Sequence, residues 1–214
     1  SRILDAADAS ELRSGFVDLE AAREPNPVKL LERREELVTR AAETEGRLRD
    51  LARLDLAQFF IANRFAPEAI GVLKVLDAEL RTQDLRERVW LSRGIADILA
   101  YRPIDALAIF NSETFAGQVD ATMWRSIARE RAGDHTGARL DALASENILE
   151  SYPGWVQIDF LLSGARAALE TRDAEMALRY LTEVEFARLE PTQVSMYQLL
   201  QGRLAELEGH SDEA

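Results

Sequence analysis

Residues 171–177 read Thr-Arg-Asp-Ala-Glu-Met-Ala, and a turn of this kind recurs along the chain. Each copy ends one amphipathic segment, turns within about three residues and places an alanine early in the next segment. The other copies are residues 63–69, 101–106, 133–138 and 209–214. The alanines are Ala69, Ala106, Ala138, Ala177 and Ala214, separated by 37, 32, 39 and 37 residues. Self-similarity with a period in the thirties is typical of a helical solenoid.

The segments between the turns carry apolar residues at helical spacing, so we predict antiparallel helix pairs. The predicted pairs are 47–63 with 66–80, 85–100 with 103–112, 119–132 with 135–149, and 155–171 with 173–188. A last helix is predicted over 191–208. Because Leu, Ala, Glu and Arg dominate the composition, we expect helix in more than about two-thirds of the residues, against a usual third.

Small residues are expected where two helices cross close to a short turn. The alanine supplies one of them, and a second should face it from about twelve positions earlier, on the first helix of the pair. The residues there are Ala57, Gly94, Ser126, Ala165 and Gly202. Four residues after each alanine a large apolar side chain is expected, and the pattern gives Leu73, Phe110, Ala142 and Leu181, with one exception.

These small and large positions, with Trp90 and Trp124 in first helices and Gly-Asp at the turn 133–134, resemble the tetratricopeptide family over about 47–214. The family's usual tyrosine and closing proline are missing, and the spacings depart from its period of 34. The resemblance implies an all-α fold, a right-handed α-solenoid of antiparallel helix pairs (TPR-like). It also implies a protein-binding role rather than catalysis.

The chain is predicted to have three parts. Residues 1–26 form an N-terminal extension whose Leu12, Phe16 and Leu19 could fold back onto the next helix or into the groove formed by the first helices of the pairs. Residues 27–46 form an N-terminal capping helix, which the stretch 45–47 either separates from the next helix or bends. Residues 47–214 form the repeat domain, with about four helix pairs and one unpaired helix.

The C-terminal end of the repeat domain is predicted to be open. The helix 191–208 carries Val194, Tyr197, Leu200, Leu204 and Leu207, and no partner helix follows. A helix pair buries its apolar face only against a neighbour. We therefore expect a truncated repeat domain, continuation of the natural protein by at least one helix, and possible homo-oligomerisation through this helix.

Several functional classes are disfavoured by composition. The formal charge of −12 argues against nucleic-acid binding, which depends on Lys and Arg neutralising phosphates. The chain has no cysteine, and its two histidines, His135 and His210, lie in turns where we expect them to be solvated. We therefore predict no metal, no cofactor and no enzymatic activity. No apolar run is long enough to span a membrane, so no insertion is expected.

The leading functional prediction is a scaffold that binds a protein or peptide on the concave face formed by the first helices. The predicted contact residues follow each small residue by one position: Gln58, Ile95, Ile127, Arg166 and Arg203. The arginines could clamp a carboxylate, or could pair with neighbouring acids such as Glu170 or Glu206. The alternative is an assembly module that acts by oligomerisation or as a section of a longer solenoid. Ala/Arg/Leu-rich usage favours a bacterial source, and the compartment, cytoplasmic or periplasmic, is left open.

Overall fold

The computed structural model describes residues 16–80 and 83–209, and ten α-helices follow one another within these residues. They are α1 (Pro27–Glu43), α2 (Gly46–Ala62), α3 (Ala66–Glu79), α4 (Arg86–Leu99), α5 (Pro103–Phe110), α6 (Val119–Arg131), α7 (His135–Ser145), α8 (Gly154–Glu170), α9 (Ala174–Glu183) and α10 (Pro191–Leu207). Helix accounts for 80% of the structure, and no strand occurs in the part of the chain that is described. The predicted all-α class and helix content are confirmed.

Consecutive helices pack against each other in each of two compact units, one ending at Ala121 and the other beginning at Thr122. In the first unit α1 contacts α2, and α2 to α5 follow as two pairs whose first helices, α2 and α4, also touch. In the second unit α8 contacts α7 and α9, and α10 contacts both α8 and α9. This order of contacts is compatible with a helical repeat.

The helix boundaries follow local signals in the sequence. Asn26 caps α1 by accepting hydrogen bonds from the backbone N–H groups of Val28 and Lys29 at 3.0 and 3.2 Å, and Pro27 is the first helical residue. Extended backbone at Thr44 and Glu45 separates α1 from α2, which settles a point that the sequence left open. The ends of two predicted second helices, Glu146–Ser151 and Phe186–Arg188, form 3₁₀ turns instead of α-helix.

One backbone turn is repeated at all four helix pairs. The residue after the first helix's C-cap has a positive φ: 64° at Arg64, 56° at Tyr101, 86° at Gly133 and 59° at Arg172. Its N–H and the next N–H bond back to carbonyls of the last helical turn, as in the bonds from Arg172 to Leu169 and from Asp173 to Ala168. This is the Schellman arrangement, which satisfies the free carbonyls of a helix end.

The predicted packing alanines follow these turns at a constant distance. Ala69, Ala106, Ala138 and Ala177 each lie five residues after the positive-φ residue, and all are buried. Ala214 lies outside the described residues. Two helical glycines lie against aromatic rings: a Cβ on Gly94, one of the predicted small residues, would lie 2.5 Å from Phe110 Cζ, and a Cβ on Gly164, which precedes the predicted Ala165, would overlap the ring of Tyr180.

Several side-chain hydrogen bonds link neighbouring pairs across 33 or 34 residues, whereas the bond from Gln118 to Glu87 spans 31 and that from Arg47 to Asp84 spans 37. Gln58 donates to Ser92 and Gln193 donates to Asp159, in each case across 34 residues. Arg139 donates to Asp173 across 34 residues, and Arg203 to Glu170 across 33. These separations are compatible with a helical repeat of irregular length, as is the spacing of the alanines.

Part of the predicted N-terminal extension packs against the first helices. Val17 and Leu19 are buried. The segment is tied to the end of α2, because the N–H of Glu24 donates to Asn63 Oδ1 at 3.1 Å and Asn63 Nδ2 donates to the carbonyl of Ala22 at 3.5 Å. Leu12 lies outside the described residues.

The last helix is more covered than the sequence predicted. Leu200 and Leu204 are buried, whereas Gln198 and Gln201 are exposed. α10 contacts two helices, α8 and α9, so the strip that the sequence predicted to be open is buried at Leu200 and Leu204 and half-buried at Val194, Tyr197 and Leu207. Leu199 remains an exposed apolar residue on this helix. Among the described residues, no helix has the length and apolarity needed to cross a lipid bilayer.

Candidate partner-binding surface

Two of the five residues predicted to contact a partner lie in the core. Ile95 is 0% exposed and Ile127 is 1% exposed, so the prediction of an apolar middle to the binding face is wrong for both. α4, which carries Ile95, is contacted by α2, α3 and α5.

Gln58, Arg166 and Arg203 remain accessible to solvent in part. Gln58 is half-buried on α2, and its Nε2 donates to Ser92 Oγ at 3.3 Å. Arg166 is exposed on α8 and Arg203 is half-buried on α10. Since α8 and α10 touch in the second unit, these two arginines lie on adjacent first helices. Their role in binding stays a prediction.

A row of alternating charges joins α6, α8 and α10. Arg166 Nη1 lies 3.2 Å from Glu130 Oε1 on α6, and Arg203 Nη1 donates to Glu170 Oε1 on α8 at 2.7 Å. We call Glu130, Arg166, Glu170 and Arg203 the charged row. The interpretation that these arginines pair with neighbouring acids is confirmed. Arg203 pairs with Glu170, one of the two acids named in the sequence analysis.

The two carboxylates of the charged row have opposite electrostatic environments. Burial raises the pKa of Glu130, and the guanidinium of Arg166 only partly offsets this effect. The hydrogen bond from Arg203 lowers the pKa of the exposed Glu170. Sequence reasoning missed Glu130, because an acid near the end of a charged helix reads as a solvated residue.

His135 is less solvated than the sequence predicted. It is half-buried at the start of α7, and its Nδ1 atom is enclosed. A positive charge on this ring lowers the pKa of both Glu130 and Glu170, which places it beside the charged row. His210 lies outside the described residues.

Other charges on the first helices serve packing within the second unit. Arg125 makes a bidentate interaction with Asp141 on α7, with both distances 2.7 Å, and Arg129 lies 3.1 Å from the same carboxylate. Asp159 on α8 lies 3.7 Å from Arg131 on α6 and accepts a hydrogen bond of 3.1 Å from Gln193 on α10. These contacts fix the relative positions of the helices that carry the charged row.

We predict that Glu130→Gln raises the free energy of unfolding above that of the wild type, and that this gain is larger at pH 7 than at pH 4. Because burial raises the pKa of Glu130 above the ordinary value of 4.5, the folded state keeps a proton that the unfolded state loses as pH rises. Wild-type stability therefore falls through this window, and the glutamine variant lacks that loss. Urea denaturation of both proteins at the two pH values measures the difference.

The control for this measurement is Glu175→Gln, which removes one negative charge from an exposed position on α9. A stability difference between wild type and Glu130→Gln that grows as pH falls would contradict the sign derived from burial.

The charged row can offer cationic hydrogen-bond donors to a partner. A guanidinium has five N–H donors in a planar fork, so an arginine paired with one carboxylate keeps donors for a second.

No group of three or more His, Cys, Asp or Glu residues arranged to hold a metal ion occurs in residues 16–80 and 83–209. Comparisons with protein-family models, curated proteins and solved structures gave no match.

Proposed function

We propose that this chain is a protein-interaction scaffold, a TPR-like solenoid that binds a partner peptide or domain on the face formed by its first helices. The observation that carries the proposal is the charged row, in which Arg166 and Arg203 sit on the adjacent helices α8 and α10. A partner carboxylate placed between them would receive charge-assisted hydrogen bonds.

The environment of the two arginines supports recognition of an acidic partner segment. An acid of the charged row holds one side of each guanidinium, at 3.2 Å for Arg166 and 2.7 Å for Arg203. Because these side chains are already ordered, fewer rotamers are lost on binding. Both side chains retain solvent access. A rigid helical surface presents such groups without ordering a loop.

The test begins with a partner captured by crosslinking in cells that produce the protein, then purified and titrated by calorimetry. We expect Arg166→Glu with Arg203→Glu to weaken binding by about tenfold or more, because two attractive contacts become repulsive. Arg203→Glu should change the melting temperature little because the Arg203–Glu170 pair is partly exposed, whereas Arg166→Glu should lower it because Glu130 is buried, so affinities are compared where both proteins are folded.

The matched control is Arg33→Glu with Arg188→Glu, which makes the same change in net charge at two exposed ion pairs. Equal weakening by the two double variants would show a general charge effect and would remove the support for this face. A loss of stability without a selective loss of affinity would favour a purely structural role for the row.

The assembly module is the second candidate, and a groove between α9 and α10 favours it. This groove of about 350 Å³ is lined by residues that include Leu178, Tyr197 and Leu204. Leu178, Phe186 and Leu199 are exposed apolar residues on or beside these helices. Light scattering that shows a dimer, lost in Leu178→Ser with Leu199→Ser, would support oligomerisation here.

A further inference from the structure

α1 carries an apolar stripe on the side that the described chain does not cover. Val28 is 67% exposed, Leu31 62% and Val38 44%, and Ala42 is also exposed. The opposite side holds Leu37, which is buried, and α1 contacts α2. α1 therefore has two apolar sides, one of which is packed within the chain.

The stripe has the spacing of a helix–helix seam. Val28, Leu31, Glu35, Val38 and Ala42 are separated by alternating steps of three and four residues. This alternation keeps side chains on one line of a helix, as at the core positions of a coiled coil. Contiguous exposed apolar residues with a polar rim mark interaction sites more often than isolated ones do.

The charges around the stripe indicate the chemistry of its occupant. Glu35 lies within the seam. Glu32 and Glu43 lie together on one edge of the stripe, the edge that faces solvent. Arg40 pairs with Asp55 on α2, and Arg33 pairs with Glu36, whereas Arg34 is exposed on the opposite edge of the stripe. The edge that carries Glu32 and Glu43 is therefore the acidic one.

A second copy of the chain fits this surface poorly. Two α1 stripes in contact would place Glu35 and its acidic neighbours against like charges, which destabilises a helix pair. The formal net charge of −12 adds a general repulsion between copies.

We propose that the α1 stripe is a docking surface for an amphipathic helix of a partner protein, with aliphatic residues at its seam and Lys or Arg on the flank that meets Glu32 and Glu43. Val28, Leu31 and Val38 supply the apolar contact, and Glu32, Glu35 and Glu43 select the basic flank. The 17-residue α1 is about 25 Å long, so a partner helix of three heptads, about 31 Å, spans it completely. This surface is separate from the charged row and does not depend on its function.

The test uses the full chain and two synthetic helical peptides of three heptads. Both have Leu and Ile at the seam and neutral residues on one flank, and the other flank carries Lys and Arg in one peptide and Glu in the other. We expect the basic peptide to bind about tenfold or more tightly than the acidic one in fluorescence anisotropy, with affinity falling as salt rises. Equal binding of the two peptides would overturn the proposed selectivity.

The site is tested with Leu31→Ser and Val38→Ser together, which should weaken binding of the basic peptide about tenfold or more. The matched control is Tyr101→Ser with Ile104→Ser, since these residues are 79% and 69% exposed in the turn and first residues of α5. All four positions are exposed, so the variants should fold, which circular dichroism checks. Equal affinity of both double variants, or a wild-type dimer abolished by the α1 changes, would overturn the proposal.

Discussion

Replacement of Phe110 by alanine is expected to lower the free energy of unfolding by about 3–5 kcal/mol. Phe110 is buried at the end of α5, and its ring centroid lies 6.0 Å from that of Phe115 in an edge-on arrangement. The change removes the contact of the ring with Phe115 and its contact with Gly94 on α4, and it leaves a cavity against α4. Chemical denaturation followed by circular dichroism measures the loss, and a change below about 1 kcal/mol would contradict the described packing.

Gly94 provides a sign-reversing control for the same contact. Because a Cβ there would lie 2.5 Å from Phe110 Cζ, Gly94→Ala should destabilise the wild type through overpacking. In the Phe110→Ala background the obstacle is gone, and the same change should stabilise by about 1 kcal/mol, the helix preference of alanine over glycine. An effect of the same sign in both backgrounds would show that the glycine and the ring do not meet.

Replacement of Ala177 by leucine is expected to lower the free energy of unfolding by about 1–3 kcal/mol. Ala177 is fully buried near the start of α9. The space beside it is filled, because the Tyr180 ring lies against Gly164 and its hydroxyl donates to Glu146 Oε2 at 2.7 Å. The ring therefore has little freedom to move away from a larger neighbour.

The adjacent residue provides the matched control for Ala177. Leu178 is 50% exposed, so Leu178→Ala should change stability by no more than about 0.5 kcal/mol. Denaturation midpoints that are equal for Ala177→Leu and wild type would mean that the predicted register of the alanines is wrong.

The sequence predicted the helices and the packing alanines well because their signals are local. A capping side chain, a proline at the first helical position and a Schellman turn each act within a few residues, as at Asn26 and Arg172. These signals gave most helix ends to within one or two residues.

The candidate surface was harder to predict because it depends on tertiary packing. Sequence periodicity gives an apolar side of a helix but does not say how many neighbours cover it, and Ile95 and Ile127 were assigned to an open face for that reason. Glu130 was missed because its burial comes from packing within the second unit. Leu200 and Leu204 were expected to be open because the sequence did not show that α10 contacts two helices.

The short sequence separation of the linking hydrogen bonds has a consequence for folding kinetics. A bond across 33 or 34 residues, such as Arg203 to Glu170 or Gln58 to Ser92, requires only a short stretch of chain to close. Proteins dominated by such near-neighbour contacts have low contact order and fold in microseconds to milliseconds. Within each compact unit, one helix pair can therefore add to its neighbour without waiting for distant parts of the chain to meet.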